Sequence, residues 1–309
     1  MLWSLYLPIA GNASNILLLL GLGGVVGFLS GLFGVGGGFL MTPLLIMAGI
    51  PPTVAAASDS NQIVAASTSG TYAHYRMGNV DFKMGIFLLV GGVVGGTFGV
   101  QLIKILRALG NADFVIKVTY VVMLGVIGSY MFIESLQSLR HKAPRARPAA
   151  TAKPSLYARL VQSLPWQMKF VKSGVTLSPL LPIILGLFVG VLAAIMGVGG
   201  GFIMVPVMVY LLRMPMHVVV GTSLFQILFT CVNVTIMQAM TNRTVDMELA
   251  IILLLGSTLG AQFGARLSRK LKADQLKILL ASIVLVVMIQ MLTGLILPPH
   301  LMLTYKGAH

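Results

Sequence analysis

Charge is what this sequence has least of. Only 9% of its 309 residues are charged, and Asp and Glu together number 7, against the roughly 25% charged residues of a soluble domain. A chain that is 57% hydrophobic, with mean hydropathy +0.95, belongs in a bilayer and not in a water-clothed globule. Cysteine is almost absent. Cys231 stands alone, which excludes a disulfide within the chain and a cysteine-rich metal site. The five histidines, at 74, 141, 217, 300 and 309, are scattered. Neither a nucleophile–base pair nor a metal cluster is in view, so no cofactor, no metal and no enzyme are expected. The opening MLWSLYLPIAGN contains no Lys or Arg and so lacks the basic start of a signal peptide. The first helix itself is expected to direct insertion.

What is present is a set of long apolar stretches: 16–35, 84–105, 114–133, 180–198, 247–267 and 276–297. Each is close to the ~20 residues that cross a hydrocarbon core. Two others, 53–73 and 218–240, are long enough but carry many polar side chains, and 39–50 and 202–212 are too short to span. The expected fold is an all-α polytopic membrane protein. Much of the net charge of +14 falls in one hydrophilic connection, 138–178. Basic residues collect in cytoplasmic loops, so this linker is placed inside the cell. Its stretch SLYARLVQSLPWQMKFVK (155–172) has the composition of an interfacial helix. No nucleic-acid partner is implied.

The chain repeats itself. GVGGGFLMTP (34–43) returns as GVGGGFIMVP (197–206), Pro52 aligns with Pro215, and NVD (79–81) aligns with TVD (244–246). Gly91, Gly95 and Gly99 align with Gly256, Gly260 and Gly264, while the offset drifts from 163 to 165. The chain divides into a first transmembrane repeat (1–137), the linker (138–178) and a second repeat (179–309). If each glycine break folds back as a hairpin, the crossings per half are odd and the second half is inverted. Inversion places Arg266, Arg269, Lys270, Lys272 and Lys277 beside the basic linker, and the charge rule favours it. Asp81 and Asp246 read as loop charges.

Three glycines in a row should break a helix, and broken backbone at membrane depth is tolerated only where protein or a cavity surrounds it. The helix restarting after each break presents free N–H groups to an anion. Gly34, Gly36, Gly37 and Gly38, with Gly197, Gly199, Gly200 and Gly201, are therefore candidate substrate contacts, tight helix packing being the alternative. The four-residue spacing of the later glycines suits packing. In the polar helix after each break, Thr222, Gln226, Thr230 and Asn233 form one stripe, with Ser223 beside it. Ser58, Gln62 and Ser69, with Asn61 nearby, form its shorter counterpart. The two stripes could face each other across a path. Asp59 is an acid six residues into an expected membrane helix, where charge is costly and usually functional. It is either a proton carrier or a cap at the helix mouth.

The segments GVGGGFLMTPLL (34–45), Ile50-Pro51-Pro52, SDSNQIVAASTSG (58–70), GVGGGFIMVP (197–206) and GTSLFQILFT (221–230) resemble the sulfite exporter TauE/SafE family of membrane permeases. The resemblance spans both halves but not the basic linker. It implies a secondary carrier of small anions, mainly sulfur oxyanions or organosulfonates, in a bacterial inner membrane. A carboxylate transporter, an anion channel and, last, a membrane-embedded enzyme are the alternatives. Thr222-Ser223 matches a pair that the family often shows, whereas the first half has Asp59 there.

Cysteines introduced at 153 or 272 on a Cys231→Ser background are expected to resist impermeant thiol reagents applied to intact cells. Labelling at 272 from outside would refute inversion.

Overall fold

The computed structural model describes residues 4–33, 38–140, 166–268 and 273–296, with a few side chains inside those ranges, Ser69 among them, left undescribed. Each half opens with a small antiparallel hairpin. The first is β1 (Ser4–Leu7) with β2 (Asn12–Asn15), and the second is β3 (Met168–Phe170) with β4 (Val175–Leu177). Their turns contain Gly11 (φ 64) and Gly174 (φ 67), 163 residues apart and both in the left-handed region that glycine enters without strain. The structural repeat therefore takes in ten residues of the basic linker. Met168–Phe170, expected in an interfacial helix, is a strand instead, and the earlier part of that stretch, 155–165, lies outside the described residues.

Five helices follow each hairpin among the described residues. The first half has α1 (Ile16–Phe33), α2 (Gly38–Met47), α3 (Pro52–Arg76), α4 (Phe82–Ala108) and α5 (Ala112–Arg140). The second has α6 (Leu180–Met196), α7 (Gly201–Pro206), α8 (Met216–Met237), α9 (Met247–Ser268) and α10 (Ala273–Ile296). Four apolar segments are long enough to cross a membrane: Phe82–Ala108, Ala112–Glu134, Met216–Asn242 and Met247–Gly264. The protein is an all-α, multi-pass membrane protein.

The drifting repeat offset has a structural cause. α7 continues into a π turn at Val207–Leu211, and α8 ends in a second at Gln238–Asn242. A π turn closes over one residue more than an α turn, so each absorbs one inserted residue. The left-handed residues confirm the register. Gly49 (φ 89) corresponds to Arg213 (φ 54), and Gly78 (φ 73) to Arg243 (φ 51), at offsets of 164 and 165. Pro215, the residue before α8, accordingly corresponds to Pro51, the residue before α3, and not to Pro52 as the bare alignment has it.

The halves interlock. α1 lies along α9 of the other half, and α4 lies along α6 in the same exchanged way. Glycine makes both contacts possible. Gly23 meets the backbone of Leu253 and Gly27 that of Ser257, while Gly91 meets Ile183 and Gly95 meets Leu187. In both pairs the numbers rise together, so the paired helices run in the same direction. Such close approach lets dispersion act between backbones where lipid supplies no hydrophobic drive. α8 also runs parallel to α4, with Thr222 near Gly85 and Asn233 near Gly96. α3 and α8 run antiparallel, since Gly70 meets Leu224 while His74 and Asn79 meet Gly221.

Asp81 and Asp246 are not loop charges. They are 4% and 1% exposed, and each caps the helix that follows it. Asp81 Oδ1 accepts from Met84 N at 3.1 Å, and Asp246 Oδ1 accepts from Leu249 N at 3.2 Å. Each also holds the hairpin of the opposite half. Asp81 Oδ2 accepts from Ser173 N and Oγ at 3.1 and 2.5 Å, and Asp246 Oδ2 accepts from Ile9 N at 3.2 Å.

A methyl group on Gly95 would collide with the Leu187 backbone, whereas one on Gly21 meets nothing within 4 Å. Gly95→Ala should therefore destabilise by about 1–3 kcal/mol, the usual cost of overpacking, while Gly21→Ala should be neutral or stabilising by up to ~1 kcal/mol through helix propensity. Melting temperatures in detergent test the contrast.

Candidate functional site at the meeting of the two glycine breaks

The second break is fully described and buried throughout. α6 stops at Met196. Gly197 (φ 73) turns left-handed and donates its N–H to Ala193 O at 2.8 Å, closing the helix as a C-cap. After Val198, Gly199 (φ 68) and Gly200 (φ 78) are again left-handed before α7 starts at Gly201. Within the first break, Gly34, Gly36 and Gly37 lie outside the described residues, and Gly38 opens α2.

The segment after the first break turns back. Asn12 Nδ2, just ahead of α1, donates to Gly49 O, just past α2, at 3.4 Å. The far ends of α1 and α2 thus lie together, as in a helical hairpin. The starts of α2 and α7 meet in the interior. Phe39 and Phe202, both 2% exposed, stack with ring centroids 4.5 Å apart and planes 13° apart. Gly38 lies against Val198 and Ile63, Gly197 against the Ala56 backbone, and Gly199 against Cys231 and Ile227. The two breaks therefore converge where α3 passes α8, around the small cluster Ile63, Ile227 and Cys231.

Side chains satisfy the carbonyls that the second break frees. Tyr120 Oη, from α5, donates to Met196 O. Ser60 Oγ lies 3.2 Å from Gly197 O and 3.1 Å from Ala56 O, both acceptors for its one hydroxyl. Beside them sits Asp59, 0% exposed. Its Oδ2 accepts from Thr42 Oγ1 at 2.8 Å, and its Oδ1 has no partner. Asp59 is the eighth residue of α3 and far from water, so it does not cap the helix. Among the described residues the buried charged side chains are Asp59, Asp81 and Asp246, and no Lys or Arg joins them.

Thr222, Gln226, Thr230 and Asn233 lie along the glycine face of α4. Asn233 Nδ2 donates to Val93 O and Thr97 Oγ1, both at 3.2 Å. Ser58 and Thr222, equivalent at offset 164, accept from the backbone N–H of Asp246 and Asp81 at 3.1 and 3.0 Å. Ser223 donates to Val220 O of its own helix at 3.1 Å. Asn61 sits at the rim, its amide 3.7 Å from Met247 Sδ. Gln226 Nε2 donates to Thr230 Oγ1 at 2.9 Å. Gln226 and its counterpart Gln62 are both buried, each with an unpartnered Oε1. An amide presents a donor and an acceptor, so these paired glutamines can serve either need.

Sequence reasoning missed Thr42, Ser60 and Tyr120. Thr42 lies inside the glycine motif, where its hydroxyl was hidden by the conspicuous glycines. Tyr120 is one hydroxyl in an apolar helix, and nothing local marks its partner 76 residues away.

The profile of the family described as "Sulfite exporter TauE/SafE" matches residues 19–291. The chain is 26% identical over 262 residues to the probable membrane transporter protein YjnA of Bacillus subtilis, covering 84% of this chain and 93% of that one. It is 26% identical over 287 residues to the probable membrane transporter protein YunE of the same organism, covering 90% and 96%. It is also 29% identical over 114 residues to the sulfite exporter TauE/SafE family protein 1 of Arabidopsis thaliana, covering 37% of this chain and 25% of that one. No solved structure matches. A profile match over nearly the whole chain places this multi-pass membrane protein in the sulfite exporter TauE/SafE family.

Proposed function

We propose that the chain is a secondary carrier of small anions, sulfur oxyanions or organosulfonates foremost, with its site where the glycine breaks meet. The observation that carries this reading is the stacked Phe39–Phe202 pair, which joins the restarting helices of both halves at one buried point. Paired interruptions at the repeat interface are where carriers of this build hold their substrates. The donors on offer are neutral: backbone N–H groups after Gly197 and Gly38, the turnable amides of Gln62 and Gln226, and the hydroxyls of Thr230 and Ser223. A tetrahedral oxyanion accepts several such bonds at once. The buried state of these groups corresponds to an occluded conformation.

Inversion of the halves belongs to this proposal and has geometric support. α1 and α9 run the same way, and α2 returns the chain to the level where α1 began, so α3 runs with α1. α8 opposes α3, and α4 and α6 run with α8. Equivalent helices of the two halves then point in opposite directions, as alternating access between inverted repeats requires. The basic linker is assigned to the cytoplasm, with the chain in the inner membrane.

Purified protein in detergent, screened against sulfite, thiosulfate, short sulfonates and carboxylates, should melt higher with its substrate. Stabilisation of about 2–4 kcal/mol is expected at 100–1,000 times the dissociation constant. The same compound should show saturable flux and counterflow in proteoliposomes. Gly199→Leu, which places a side chain against Cys231 and Ile227, should remove flux. Passive flux without counterflow would make the protein a channel, and no response to any sulfur anion would overturn the substrate class.

A further inference from the structure

The two halves match closely along their helices but differ at one buried place. Asp59 is fully buried, accepts one hydrogen bond from Thr42 and keeps Oδ1 bare. The equivalent of Asp59 in the second half is Ser223, bonded within its own helix, and the equivalent of Thr42 in the glycine motif is Val205. The cluster of acid and hydroxyl therefore exists once per molecule. Beside it, the Ser60 and Tyr120 hydroxyls hold the consecutive carbonyls of Gly197 and Met196. Groups from α3, α2, α5 and α6 thus cluster between a carboxyl group and the C-terminal end of the helix that precedes the second break.

We propose that Asp59 is a proton-binding site whose state is passed through Thr42 and Tyr120 to the second glycine break, the closed arrangement described here being the protonated form. The inference rests on the carrier reading for its purpose but not for its chemistry. A carboxylate with one bare oxygen, buried away from any cation, is strongly disfavoured. Tyr120 from α5 and Cys231 from α8 are titratable groups within electrostatic reach of Asp59, and neither is a cation. Asp246, buried and donating its N–H to the neighbouring Ser58 at 3.1 Å, is a further acid and not a counter-charge. α2 and α6 contribute no titratable residue, and on α9 the first-turn Glu248 is exposed. On α5, Asp113 is exposed and Lys117 half-buried. On α3 itself, His74 and Arg76 lie four turns away. A neutral acid fits this site; a charged one does not.

The release step moves only a proton. As the second break loosens and water enters, Asp59 O–H gives its proton to water and the carboxylate needs a second donor. The Tyr120 hydroxyl is the nearby donor able to turn towards it. In turning it leaves the Met196 carbonyl, so the end of α6 loses a cap and the break is freed to open. Since the second half has no such acid, one proton is bound per carrier molecule.

Cys231, packed against Gly199 and alone in the chain, reports the break without an added label. Full-length protein in detergent, without substrate, is titrated while the infrared carboxylic-acid band and the rate of N-ethylmaleimide reaction at Cys231 are followed. At neutral pH the wild type should show a protonated-carboxyl band that Asp59→Asn lacks. At alkaline pH the wild type should label about tenfold faster than Asp59→Asn at the same pH, as a minor open state becomes the major one. Comparison at matched pH removes the ordinary rise of thiol reactivity. Tyr120→Phe should label fast at every pH, and Asp59→Glu should restore the pH dependence, which guards against a folding defect in Asp59→Asn. No Asp59-dependent band, equal labelling of wild type and Asp59→Asn, or opening governed by sodium and not by pH would each overturn the proposal. Because no substrate is present, absence of sulfite flux with this pattern intact would sink the carrier reading alone.

Discussion

A membrane helix that breaks must find partners for its freed carbonyls and amides inside the protein, because lipid offers none. In this chain that requirement shapes the whole interior. The carbonyls of Met196 and Gly197 receive the hydroxyls of Tyr120 and Ser60, so α5 and α3 must pass the tip of a hairpin that belongs to the other half. Ala56 must be small enough for Gly197 to rest on its backbone, and the left-handed Gly199 leaves room for Cys231. The break and the core are here the same set of atoms.

The second organising feature is exchange between the halves. α1 has its main contact with α9, and α4 with α6, each across the repeat boundary. The buried aspartates at the starts of α4 and α10's predecessor α9 hold the hairpin of the opposite half through Ser173 and Ile9. Neither half can satisfy its own buried polar groups alone, and each completes the other. The π turns show how the repeat tolerates divergence. One inserted residue is taken up as a widened turn, leaving the contacts on either side in register.

Much of this was legible in the residues. Composition marked a membrane chain, the duplicated glycine motif marked the break, and four-residue glycine spacing marked the helix faces that pack. The polar stripe was legible as a stripe but not in its target, because periodicity gives a face without saying what the face meets. Thr222 and Asn233 turned out to serve the cap of α4 and the carbonyls of its glycine face. Asp81 and Asp246 looked like surface charges because their burial depends on hairpins that come from the other end of the chain.

The sequence by itself determined the class of protein, the twofold repeat and the points at which its helices break, because hydropathy, self-similarity and glycine act locally. Only the tertiary structure decided that the starts of α2 and α7 meet, that Phe39 lies on Phe202, that Asp59 takes the Thr42 hydroxyl, and that Tyr120 takes the Met196 carbonyl. Those are contacts between residues 17 to 163 positions apart. What joins them is the parallel packing of helices exchanged between the halves, a property of the assembled bundle that no single stretch of the chain contains.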